Sequence, residues 1–269
     1  MSYTTDGLVI REIAVGENDK MLTLLTPDQG RINVVAKGAR SLRSQVLSVA
    51  QLYSYGNYEI HEKGDYKWLR GGSLIEGFFG LREDIERLSL AAYIADVACE
   101  LTGEELPSIE MLRMTLNAFY AISKGKKSHA IIKGVYELRA AGFSGFMPEL
   151  SGCRYCKSDS SDRLYLDVMN GCCVCSDCIN KRALKQTASQ IRSAYDDERE
   201  LRNILLPITP SVLAAMRYAV QSLPERMFSF NIDGNDEMNM FSRAAEEYLL
   251  HHLERGFTSL DFYKSMATN

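Results

Sequence analysis

Residues 7–38 read GLVIREIAVGENDKMLTLLTPDQGRINVVAKG. Three runs rich in Val, Ile and Leu, at 7–15, 20–26 and 31–38, are separated by the turn signals GEND and TPDQG. No helical period of useful length interrupts them, so the stretch predicts three short strands. Two more strand-like runs follow, SVAQLYSYGNYEIHE at 48–62 and YKWLRGGSLIEGF at 66–78, with EKGD between them. Five short strands in about 80 residues predict a small closed β-barrel. Alternation is loose around Leu52–Ile60, and Gly56 predicts a bend there.

Beyond Phe79 the period changes. Leu81, Ile85, Leu88, Ala92, Ala95 and Ala98 recur at helical spacing until Gly103. Further amphipathic helices are predicted over 107–123, 128–143, 183–197, 209–223 and 238–256. Their Leu, Met and Phe stripes read as core. The expected fold is therefore multidomain α+β: a five-stranded barrel over residues 1–80, then an α-helical domain over 81–269.

The hydrophobic and charged fractions, 46% and 25%, are those of an ordinary globular protein. No run of about 18 apolar residues is present, so no membrane span is expected. The N-terminus lacks a basic start followed by an apolar run, so a cytoplasmic location is expected.

Six of the seven cysteines fall within residues 153–178. Cys153 with Cys156, and Cys175 with Cys178, form two C-x-x-C pairs separated by 18 residues. That spacing predicts a zinc ribbon at about 150–180. Two such knuckles supply the four thiolates that tetrahedral zinc prefers. Four protein ligands leave no position for an activated water, so the metal is expected to be structural. Cys172 and Cys175 are also spaced C-x-x-C, leaving a second ligand choice open, and a reversible disulfide is the alternative chemistry.

Enzyme motifs fail one by one. A phosphate-binding loop ending at Gly125-Lys126 would need Gly at 120, which is Tyr, and Ser or Thr at 127, which is Lys. A nucleophile elbow around Ser144 would need Gly at 146, which is Phe. No H-E-x-x-H occurs. The chain is expected to bind rather than to catalyse.

Net charge is -4, yet residues 29–58 hold Arg31, Lys37, Arg40 and Arg43 and no acid. Residues 1–80 balance nine cations against nine acids, so attraction for a polyanion has to come from arrangement. A barrel groove with cations for phosphates and aromatic faces for bases suits nucleic acid. Tyr53, Tyr55 and Tyr58 follow the cations and are the candidate faces. The KGKK patch at 124–127 reads as a soluble turn.

Residues 7–40, with their strand, GE-D, LLT---G and A-GAR pattern, resemble the opening of the RecO family of recombination mediators, which act in DNA repair. YELRAAGFSGFMPELSGCRYC at 136–156 is similar to that family's helix, Pro-x-Leu step and first zinc knuckle. EEYLLHHLERGFTSLDFY at 246–263 is similar to its closing helix. The resemblance implies an N-terminal oligonucleotide-binding (OB-fold) barrel, a helical body with an inserted zinc ribbon, and no catalytic turnover. It implies binding of single- and double-stranded DNA and annealing of complementary strands. The implied protein partners are RecR and the acidic, apolar tail of single-strand-binding protein, with RecA loaded indirectly. Lys37 and Arg40 carry over from the basic pattern, and Arg43 by proximity. Cys153, Cys156, Cys175 and Cys178 carry over as zinc ligands. Cys172 and Cys173 stand where the family usually has small or apolar residues. The competing expectation is a zinc-ribbon RNA-binding or transcription accessory protein.

Overall fold

The computed structural model describes residues 1–159, 163–181 and 204–267. The helix expected over 183–197 lies outside the described residues. The chain forms two compact units: Met1–Lys126 with the segment from Phe257 onward, and Lys127–Gly256.

The first unit begins with β1 (Ser2–Val15), β2 (Asp19–Thr26), β3 (Gly30–Ala36), β4 (Tyr55–Lys63) and β5 (Tyr66–Glu76). They close into a barrel of order β1-β2-β3-β5-β4, the Greek-key arrangement of an OB-like fold. Period-two alternation builds the core. Ile32, Val34 and Ala36 of β3 point inward with Leu22, Leu24, Tyr58, Ile60 and Leu69, while Asn33 lies exposed. Closure rests on a parallel contact, Val35 opposite Trp68. The expected bend at Gly56 is a register shift between Tyr55 and Gly56. A Cβ on Gly56 would stand 2.5 Å from the Ser73 carbonyl oxygen, so only glycine lets β5 approach.

The fourth strand is shorter than its sequence suggests. Residues 37–54 form successive turns, and β4 starts only at Tyr55. Local hydrogen bonds take the place of a ladder: the Gln51 amide donates to the Leu47 carbonyl (2.8 Å), and the Ser54 hydroxyl to that of Ser48 (3.2 Å). Ala39, Val46, Val49 and Ala50 from this segment plug the barrel.

α1 (Ile85–Leu101) and α2 (Ile109–Lys124) complete the unit with the terminal α6 (Thr258–Ala267). Asp84 caps α1 by accepting the Glu86 N–H, and Gly125 ends α2 at φ 63°. Tyr53 and Phe78 both meet Phe119 of α2 edge-on, at 5.0 and 5.7 Å between centroids.

The second unit holds α3 (His129–Phe143), β6 (Glu149–Cys153), β7 (Leu164–Asp167), β8 (Cys172–Cys175), β9 (Leu205–Ile208), α4 (Pro210–Gln221) and α5 (Asn235–Leu253). The strands form a sheet of order β6-β8-β7-β9. α3 and α5 pack closely: a Cβ on Gly134 of α3 would stand 2.6 Å from the Phe241 ring of α5. Between them Lys133 lies 3.0 Å from the Glu137 carboxylate and 2.7 Å from that of Glu246, all three nearly or fully buried. Among the described residues no helix is long and apolar enough to cross a membrane.

Candidate functional site

The cationic segment leaves β3 under restraint. The Gly38 N–H donates to Asp19 Oδ1 at 2.7 Å, the Arg40 N–H to the Asn18 carbonyl at 3.0 Å, and the Arg40 guanidinium to the Gly16 carbonyl at 3.1 Å. The GEND turn and the AKGAR run are thus one clasp, in which Asp19 fixes backbone instead of neutralising a cation. Lys37, Arg40 and Arg43 are exposed, and among the described residues none of the three forms an ion pair.

Arg31 is differently employed. Its guanidinium donates to the Cys99 carbonyl at 2.7 Å and reaches the Cys99 thiol at 3.3 Å, at the end of α1. Its backbone N–H donates to the Gly103 carbonyl. These contacts join β3 to the helices of its own unit.

Two of the three tyrosines expected to face bases do not. Tyr53 and Tyr58 are 3% and 0% exposed. The Tyr58 hydroxyl donates within the barrel end, 3.0 Å from the Val49 carbonyl and 3.1 Å from that of Ser54, and burial pushes its phenol above the ordinary range. An aromatic ring on an inward strand position serves the core better than a solvated groove. Tyr55 is half-buried.

A cleft of about 340 Å³ that sequence reasoning missed lies on the outside of the barrel, lined by Lys37, His61, Lys63, Trp68, Leu69 and Arg70. It gathers side chains from β4 and β5, which pair directly, and Lys37 just beyond β3, which the β3–β5 contact brings alongside them. The KWLR run at 67–70 was a signal, since it pairs the single tryptophan with cations.

In the second unit the Sγ atoms of Cys153, Cys156, Cys175 and Cys178 all lie within 4.8 Å of one another. The separation between Cys156 Sγ and Cys175 Sγ is 3.7 Å. Sulfurs at about 2.3 Å from a tetrahedral zinc stand about 3.8 Å apart, so the donor set fits that ion. The Cys175 N–H points at Cys153 Sγ at 3.4 Å, a contact that stabilises a thiolate. Cys172 and Cys173 lie outside the cluster. Cys173 is fully buried opposite Leu166 and Cys153, and burial pushes its thiol up to about 12. Cys172, raised by burial, lies 3.9 Å from the Arg154 guanidinium.

An OB-like barrel with a basic exit loop, followed by a helical body, defines a multidomain barrel protein that carries a four-cysteine cluster able to hold a metal ion. The chain belongs to the RecO family of DNA repair proteins. Residues 1–78 match the family described as Recombination protein O N terminal, and residues 82–195 match Recombination protein O C terminal. The chain is 30% identical to the DNA repair protein RecO of Alkaliphilus metalliredigens, across 99% of this chain and 100% of the relative. It is 29% identical to that of Acetivibrio thermocellus over 99% and 98% of the two chains. With the Bacillus subtilis RecO it shares 29% identity over 71% of this chain and 76% of the relative.

Proposed function

We propose that the protein is a DNA-binding recombination mediator whose barrel grips the sugar–phosphate backbone. The observation that carries this reading is the set of exposed, ion-pair-free cations on a fixed loop, Lys37, Arg40 and Arg43, in a family of DNA repair proteins. Cations that replace condensed counterions bind phosphate without reading sequence, so single and double strands are both ligands. Holding two phosphate chains on one positive surface lowers the repulsion that opposes pairing, which favours annealing. Arg31, with its guanidinium on Cys99, contributes least to this set.

Cys153, Cys156, Cys175 and Cys178 would hold zinc. With four protein sulfurs the ion supplies folding energy and no open coordination position. Partnership with RecR and with the tail of single-strand-binding protein, and the resulting loading of RecA, belong to the same proposal. Tethering to a protein already on the strand raises the local concentration of the barrel, so modest contacts suffice. The mediator role needs no catalytic step.

The test is annealing of complementary DNA strands coated with single-strand-binding protein. The full chain is expected to accelerate annealing, and deletion of the coating protein's tail to remove most of the acceleration. Matched RNA should compete more weakly than DNA at equal ionic strength. Absence of acceleration, or a preference for RNA, would overturn the reading.

A further inference from the structure

The loop cations leave unexplained what stands beside them on the outside of the barrel. Trp68, the only tryptophan of the chain, is flanked by two rings. Tyr66 lies 5.8 Å from it between centroids with the planes 27° apart, and His61 lies at 6.3 Å and 32°. His61 and Trp68 are direct cross-strand partners, which places both on the same side of the sheet. Tyr66 is 65% exposed, so the row of rings ends in open solvent.

Cations surround the row. Lys37, Lys63 and Arg70 line the same cleft, are exposed, and form no ion pair among the described residues. Glu62, next to His61 on β4, is already engaged by Lys67 at 3.3 Å. Glu59, opposite Gly71, and Asp65 are exposed acids on the β4–β5 hairpin, and neither lines the cleft. A volume of about 340 Å³ falls at the lower end of cavities that take small ligands, the scale of one nucleotide rather than several.

Rings between cations are the combination that binds single strands: each base offers a face to stack, and each phosphate a charge to neutralise. In a duplex both faces of an interior base are already covered by its neighbours. We propose that this cleft is a subsite for an unpaired nucleotide of single-stranded DNA. The base stacks on the Tyr66–Trp68–His61 row, and the flanking phosphates lie on Lys37, Lys63 and Arg70. The inference rests on the proposed DNA binding and deepens it. Lys37 serves both subsites, and the cleft distinguishes single strands from duplex where the loop does not.

The single tryptophan makes the test direct. The full chain is titrated with a single-stranded oligonucleotide and, separately, with the duplex of the same sequence. Anisotropy of labelled DNA reports binding, and tryptophan emission reports the cleft. Emission is expected to be quenched as the single strand saturates and to change little with duplex. Trp68→Ala should weaken single-strand binding about tenfold and duplex binding less than twofold, while Trp68→Phe keeps most of the affinity. Saturation by single strand without quenching, or equal losses for the two ligands in Trp68→Ala, would overturn the subsite and leave the loop reading intact. Quenching in the unaltered chain, combined with full affinity after loss of Arg40 and Arg43, would keep the subsite and overturn the loop reading. No DNA binding at all would overturn both. The quenching arm uses the unaltered chain, so it holds even if a variant misfolds.

Discussion

The Cys153→Ser variant is expected to lose the zinc proposed for the four-cysteine cluster and to unfold the ribbon sheet. Cys153 is fully buried, sits at the end of β6, and shares the convergent sulfur cluster with Cys156, Cys175 and Cys178. Three remaining thiolates and a hydroxyl make a poor tetrahedral set, because serine is a weak zinc ligand at neutral pH. The strands being held are short: β7 and β8 have four residues each. Binding of structural zinc contributes on the order of 10 kcal/mol in small domains. Leu164, Leu166, Val168 and Val174 bury some apolar surface, which places the effect below that figure here. Metal analysis should fall from one zinc per chain towards none, and residues 149–181 should become open to protease. A strong chelator should do the same to the unaltered chain. Full zinc content with unchanged protease resistance in the variant would contradict the assignment.

The second large effect lies between α3 and α5. Lys133 is 3% exposed and contacts the carboxylates of Glu137 and Glu246. Burial works against its charge, but the two carboxylates outweigh burial and raise its pKa. Lys133→Met keeps the volume of the stem and leaves two carboxylates facing each other away from water. Breaking a buried pair by removing one partner costs roughly 3–5 kcal/mol. Denaturant unfolding should show a loss of that size at neutral pH. The deficit should shrink as pH falls, because protonating one glutamate relieves the repulsion. In the unaltered chain the sign is that of a raised lysine: its stabilisation is complete below the unfolded lysine value and is lost only as pH rises through the folded one. A loss below about 1 kcal/mol would show that the network relaxes without its cation.

Much of this molecule was legible as sequence, for identifiable reasons. The runs at 7–36 are rich in Val, Ile and Leu and bounded by turn residues, so the barrel could be read directly. The C-x-x-C pairs are local, and their spacing carried the cluster. Cys172 and Cys173 were ambiguous because β8 is a four-residue strand in which every cysteine is buried, so alternation decides nothing. The helix-side role of Arg31 depends on Cys99, far along the chain, and no local pattern announces it. Tyr58 misled because a ring on a strand suits core and groove alike, and only the closure of the barrel decides; Tyr53 misled because it lies in the turn before β4, with its ring against Phe119. The same closure, through one parallel contact at Val35 and Trp68, creates the cleft that the linear sequence hides.

The central claim is that the cations leaving β3 meet a polyanionic strand, and its most direct test is the salt dependence of DNA affinity. The full chain and a Lys37→Ala, Arg40→Ala, Arg43→Ala variant are titrated with one single-stranded oligonucleotide over a range of salt. Each lost phosphate contact removes about 0.7 from the slope of log K against log salt for single strands. The variant should therefore show a slope shallower by about 2, with an unchanged circular dichroism spectrum. Equal slopes from a folded variant would mean that the loop does not carry the phosphates.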